Sequence, residues 1–159
     1  MRTSQNGLAF IKRWEGFVAH AYRDVAGVMT IGYGHTKGFR DGRFGPDAEV
    51  SAGAAERLLR KDLAPVESKI DRLVRTRINQ NEFDALASFD FNTGALHRAT
   101  ALKLLNAENR IGAAEALTWW NKASVDGRKI EIPGLTRRRA AEADLFLSPP
   151  GARRAFKQA

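Results

Sequence analysis

Apolar residues recur at helical spacing through most of this chain and lose that spacing in one early stretch. Leu8, Ile11 and Trp14 share one face behind Thr3 or Ser4 as a cap, and Gly16 follows as a stop. This predicts a first helix with Glu15 in its last turn. From Phe17 to about Phe44 the helical period disappears, and glycines stand at 27, 32, 34, 38 and 42. Val28 to Tyr33 has the β-branched and aromatic content of a strand, and Gly38 and Asp41-Gly42 signal turns. A small antiparallel sheet is expected here.

The helical period returns at Ser51. Ala54, Leu58, Leu59, Leu63, Val66, Ile70, Leu73 and Val74 trace one stripe, and Pro65 within it either kinks a long helix or begins a second. Asn79-x-x-Glu82 reads as a capping box before Phe83, Leu86 and Phe89, and Gly94 closes that helix. Further helices are expected from Thr100 as a cap through Leu105, and from about Ile111 to Trp120. Asp126-Gly127 marks a loop, after which Thr136 caps a last helix carrying Ala140, Ala143 and Leu147. Phe89, Trp119 and Trp120 read as core. The architecture is α+β: a small antiparallel β lobe over about 17–50, joined by a long helix to a larger helical lobe. Both lie in one domain over 1–148, with a basic tail over 149–159.

Composition narrows the chemistry. With 159 residues and 43% hydrophobic content the chain is long and apolar enough to bury a core. It has no cysteine, which excludes disulfides, thiolate metal sites and a cysteine nucleophile. His20, His35 and His97 stand in no ligand-pair spacing, so neither a metal nor a cofactor is expected. The N-terminus is apolar only over Leu8–Ile11. That is shorter than the roughly 7–15 residues of a signal-peptide core or the about 20 of a spanning helix. A soluble chain that accumulates in the cytoplasm until another agent releases it is expected.

A net charge of +8 and a pI near 10.3 call for an anionic partner. The basic residues are scattered, apart from Arg137-Arg138-Arg139, and form no nucleic-acid-binding pattern. Most read as solvated faces, and a nucleic-acid partner is not expected. In the tail, Arg153, Arg154 and Lys157 around Phe156 offer at most a weak contact with an anionic surface, and a frayed end is the simpler reading. No stable membrane insertion is expected.

Candidate chemistry lies in Trp14–Thr36. Glycosidic cleavage needs an acid for the leaving oxygen and a second group to direct water or stabilise the sugar cation. Glu15, at a helix C-terminus beside Trp14 and Phe17, is placed where its neutral acid is favoured. Asp24 falls in a polar turn, and Thr30 adds a hydroxyl able to hold a water. By spacing alone this pair is weak. Gly32-x-Gly34 is half a dinucleotide fingerprint, but Lys37 stands where the third glycine belongs.

The order Glu15, Asp24, Thr30, with the threonine opening Thr30-Ile31-Gly32-Tyr33-Gly34-His35-Thr36, resembles the phage-type lysozyme family, the muramidase endolysins of glycoside hydrolase family 24. Gln80–Phe89 with Phe91-Asn92-x-Gly94, Thr100-x-Leu102-x-x-Leu105-Asn106 with Trp119, and Pro133–Glu142 extend the likeness from about Gly7 to Leu147. The resemblance implies a lysozyme-like fold with an active-site cleft between its lobes. It also implies hydrolysis of the bond between N-acetylmuramic acid and N-acetylglucosamine in peptidoglycan, by a monomer acting on the glycan strand at the cell wall. Glu15 would be the general acid, and Asp24 with Thr30 would place the water. Thr36, Phe91, Asn92 and Thr100 would contact sugar, Arg139 would pair with the acid, and His35 would bond Asp62. Inverting carboxyl separations of roughly 6.5–9.5 Å and retaining ones of about 5–5.5 Å leave the stereochemical outcome open.

Overall fold

Ser4 supplies the first cap. Its hydroxyl oxygen accepts the Gly7 amide at 3.0 Å, and α1 (Gln5–Glu15) follows. Gly16 ends α1 at φ +71°, a conformation open to glycine without steric cost. These features belong to a computed structural model that describes residues 1–149. The chain divides into two compact units, Ala9–Pro65 and Met1–Leu8 with Val66 onward. The division falls within α1 and within α2 (Ala52–Leu73).

In the Ala9–Pro65 unit, β1 (Val18–Arg23) and β2 (Met29–Gly32) form an antiparallel hairpin pairing Tyr22 with Thr30 and Arg23 with Met29. Two strands cannot bury a core alone. Ile31 and Tyr33 are buried along with Phe10 and Ile11 of α1 and Ala55, Leu59 and Leu63 of α2. Gly32 lies against α2 so closely that a Cβ on it would stand 3.0 Å from the Ala55 Cβ. The unit therefore reaches from 9 to 65, beyond the β lobe of 17–50 expected from the sequence, because the hairpin takes its core from both helices. α2 continues through Pro65, so no second helix begins there; the missing N–H takes away the hydrogen bond it would give to Lys61.

The other unit holds the rest of α2, then α3 (Gln80–Thr93), a 3₁₀ turn at Leu96–Arg98, α4 (Thr100–Asn106), α5 (Arg110–Thr118), β3 (Lys122–Val125), β4 (Arg128–Glu131) and α6 (Pro133–Leu147). The Asn79 side chain accepts the Glu82 amide at 3.0 Å, and Glu82 returns the bond to the Asn79 amide at 2.7 Å. Gly94 closes α3 at φ +63°. Asn81 through Asp90 are all buried, so α3 is surrounded on every face. Its buried carboxylates meet hydrogen-bond donors or a cation. Asp84 accepts the Ser4 amide and Gln80 Nε2, each at 2.9 Å, and the Ser4 hydroxyl. Burial pushes the Asp84 carboxyl up, against hydrogen bonds that pull it down. Asp90 accepts the Leu96 amide at 3.0 Å and faces Lys69 Nζ at 2.7 Å.

Four expectations are corrected here. Ala99 rather than Thr100 occupies the cap of α4, and Thr100 is its first residue. The last helix starts at Pro133, before Thr136, because proline suits a first helical position where no N–H is needed. Asp126-Gly127 is not a plain loop. It is the two-residue turn of the β3–β4 hairpin, with φ +47° and +76°, the left-handed pair that such turns require. Trp119 caps α5 with 56% of its surface exposed, while Trp120 is half-buried edge-on to the buried Phe89.

Gly7 leaves no space for a side chain. A Cβ there would fall 2.4 Å from Asp84 Cγ. Gly7→Ala is expected to cost about 1–3 kcal/mol of stability by overpacking, read as a lowered urea midpoint. Among the described residues no helix is long and apolar enough to cross a membrane. From residue 150 on, the expected basic tail lies outside the described residues.

Candidate active site

Glu15, Asp24 and Thr30 all belong to the Ala9–Pro65 unit. Glu15 is the half-buried last residue of α1. Gly34 reaches it from the segment after β2: a Cβ built on Gly34 would stand 3.8 Å from Glu15 Oε2. With φ +80°, Gly34 adopts a backbone that side chains rarely tolerate, and its bare Cα keeps space beside the carboxyl.

Asp24 is built into the hairpin turn. Its Oδ1 accepts the amides of Ala26 at 2.9 Å and Val28 at 2.8 Å, while its own amide donates to the Val28 carbonyl at 3.0 Å. Oδ2 takes no part in these bonds, so the turn fixes one oxygen and leaves the other for a ligand. Thr30 is buried on β2, and its hydroxyl donates to the Val28 carbonyl at 2.9 Å. With that proton committed, Oγ1 can only accept a further bond, as from a water.

His35 lies just beyond. It pairs with Ile31 through two backbone hydrogen bonds of 2.9 Å, and its Nδ1 is 2.6 Å from Asp62 Oδ2 on α2. The ring stands edge-on to Phe44, and Lys37 Nζ is 3.5 Å from the other Asp62 oxygen. His35→Ala would strip the half-buried Asp62 of its closest partner. A loss of about 1–3 kcal/mol is expected, measured as a fall in melting temperature. Thr36 is exposed and lines a hollow of about 410 Å³ with Val28, Lys37 and Arg40 among its walls.

Other candidates lie in the second unit. Phe91 is half-buried, and Asn92 and Thr100 are exposed. The Asn92 amide oxygen accepts Arg139 Nη2 at 2.7 Å. Arg139 itself is fully buried under the Phe89 ring, with its Nε 3.1 Å from Glu142 Oε2. Arg138 Nε lies 3.1 Å from Glu142 Oε1, which also accepts the Ser88 hydroxyl at 2.6 Å. Of the three consecutive arginines only Arg137 is exposed. The expected apolar face of Ala140, Ala143 and Leu147 is therefore wrong: α6 buries Arg138, Arg139, Glu142, Leu145 and Phe146, and Leu147 is exposed.

The phage lysozyme family model matches residues 12–142. The chain belongs to the phage lysozyme family. It is 39% identical over 150 residues to the endolysin of Acyrthosiphon pisum secondary endosymbiont phage 1, covering 93% of this chain and 99% of that one. To the endolysin of Salmonella phage P22 it is 41% identical over 150 residues, with the same coverage. Among solved structures, the muramidase domain of SpmX from Asticaccaulis excentricus superposes with a TM-score of 0.85 at 38% identity, covering 93% of this chain and 99% of that domain. The α+β fold is thus lysozyme-like.

Two features of this phage lysozyme escaped sequence reasoning. In the sequence Gly34 is one glycine of a turn-rich run, and only the folded chain brings it to Glu15. Glu142 had been noticed only within a motif, and its place between two buried guanidinium groups has no signature beyond the (i, i+3) and (i, i+4) spacing from Arg139 and Arg138.

Proposed function

We propose that Glu15, Asp24 and Thr30 carry the hydrolysis of the β-1,4 bond between N-acetylmuramic acid and N-acetylglucosamine. As a phage lysozyme the chain is a glycoside hydrolase that cleaves bacterial peptidoglycan and causes lysis. The observation that supports these three residues is the division of labour within one unit. A carboxyl ends a helix beside a bare glycine, a second carboxylate is fixed through one oxygen, and a hydroxyl oxygen is left only to accept.

In this reading Glu15 gives its proton to the leaving glycosidic oxygen, while Asp24 Oδ2 and Thr30 Oγ1 hold the attacking water. The C1–O bond breaks. The hydroxyl of the water joins C1 of the muramic acid, O4 of the glucosamine keeps the proton given by Glu15, and the proton released by the water returns through solvent to Glu15. Thr36, Phe91, Asn92 and Thr100 contact the glycan; Asn92, with its oxygen held by Arg139, presents its NH₂ as the donor. Arg139 supports the acid, and His35 with Asp62 holds the segment that carries Gly34. The enzyme acts as a monomer on the wall after release from the host cytoplasm, without nucleic acid or membrane insertion.

Mass spectrometry of the products from purified sacculi tests the reaction. One water added per cut and reducing N-acetylmuramic acid ends are expected. 1,6-Anhydro ends would overturn hydrolysis, and reducing N-acetylglucosamine ends would overturn the choice of bond.

A further inference from the structure

We propose that a basic groove at the C-terminal ends of α2 and α4 docks the carboxylates of the peptide stems carried by peptidoglycan. This rests on the hydrolysis reading above, because it names a second contact with the same polymer. The groove is an open hollow of about 500 Å³ lined by Arg72, Leu73, Arg75, His97, Leu102, Lys103, Asn106 and Ala107. That volume falls within the usual range for ligand sites. All the lining residues lie in the Val66-onward unit, and none belongs to the candidate catalytic set.

Four basic side chains face this hollow, and no acidic one lines it. Among the described residues none of the four is engaged by an ion pair or a side-chain hydrogen bond, whereas Lys69, Arg110, Arg138 and Arg139 of the same unit each meet a carboxylate. Helix macrodipoles favour a cation at each C-terminus, which accounts for Arg72 on α2 and Lys103 on α4 taken singly. They do not account for Arg75 and His97 joining them around one hollow. An anion would relieve the repulsion among Arg72, Arg75 and Lys103.

The floor is preorganised and partly apolar. The Asn106 side chain accepts the Arg75 amide at 2.8 Å and donates to the Leu73 carbonyl at 3.0 Å, tying α4 to the end of α2. Leu73, Leu102 and Ala107 supply the apolar surface. Cations around an apolar floor complement a carboxylate on a short aliphatic chain, and guanidinium forks suit carboxylates. Peptide stems present such groups along the glycan strand, so a contact here adds to the binding at the sugars. The attraction weakens with salt.

The test measures binding of Glu15→Gln to purified sacculi, intact or stripped of their stems by an amidase, with and without Arg72→Glu and Lys103→Glu added. All chains are first matched by melting temperature, and Arg72→Gln with Lys103→Gln serves as a second, charge-neutral variant. On intact sacculi the charge reversals are expected to weaken binding by about tenfold or more, and the neutral pair by less. On stripped glycan, where each cleaved amide leaves only a lactyl carboxylate on the sugar, the charge reversals should lose clearly less than on intact sacculi. Unchanged binding to intact sacculi would overturn the proposal, and so would an equal loss on stripped ones.

A second readout does not depend on the catalytic reading. The free tetrapeptide stem is titrated against the wild-type chain while the His97 ring resonances are followed, with inorganic phosphate as a control. A shift with the stem that exceeds the shift with phosphate supports the groove. No shift, or equal shifts, would sink it whether or not Glu15 proves to be the acid.

Discussion

Glu142→Ala is expected to remove about 3–5 kcal/mol of stability, because it takes a carboxylate away from two buried guanidinium groups. Both Arg138 and Arg139 are buried, and Glu142, whose carboxylate meets the Nε of each at 3.1 Å, is also buried. Ser88 would lose its acceptor as well. Against a usual total of about 5–15 kcal/mol, this loss is a large share. For a chain of this size it corresponds to a fall in Tm of roughly 6–20 °C. Thermal melting followed by circular dichroism reads it directly. A loss below about 1 kcal/mol would show that the arginines do not depend on this carboxylate.

That cluster also marks where the sequence stopped being informative. Arg139 was expected to pair with Glu15, but nothing in three consecutive arginines shows that two of them are buried on one carboxylate, since charged side chains are rarely buried unless paired. The pairing depends on α6 packing against α3, which brings Glu142 to Ser88 across 54 residues of chain. Local pattern cannot show it. The end of α1 and the bounds of α3 were legible, because Gly16, Asn79, Glu82 and Gly94 determine their own surroundings. The start of α6 was misread because Thr136 offers a plausible cap and Pro133 a better first residue. The β3–β4 hairpin was missed even though Asp126-Gly127 marks it. Every residue of β4 is exposed, so no burial alternation flagged a strand. Trp119 and Trp120 adjoin in the chain, and only the end of α5 separates their fates.

The candidate site was legible in a different way. Spacing alone made Glu15 and Asp24 a weak pair, and the ordered likeness to phage lysozymes raised them to a specific expectation. The fold adds the turn that holds Asp24 by Oδ1, the bond that commits the Thr30 hydroxyl, and the bare Gly34 beside Glu15, none of which has a local signature.

Glu15→Gln is expected to cut turnover by about 10²–10⁴-fold, the contribution of a positioned general acid. Glutamine matches glutamate in size and keeps an acceptor oxygen, but it has no proton to give to the leaving sugar oxygen. Its neutral amide does not crowd Gly34 more than the carboxyl does. The fold should therefore survive, and the loss should appear in kcat more than in KM, since the proton moves only at the transition state. Asp24 and Thr30 remain in place in this variant, so their hold on water cannot restore the rate. The direct measurement is the initial rate of reducing-end release from purified sacculi by wild type and Glu15→Gln of equal melting temperature. The account predicts a fall of at least about a hundredfold, and a variant rate within about twofold of wild type, far outside the range for a lost general acid, would contradict it.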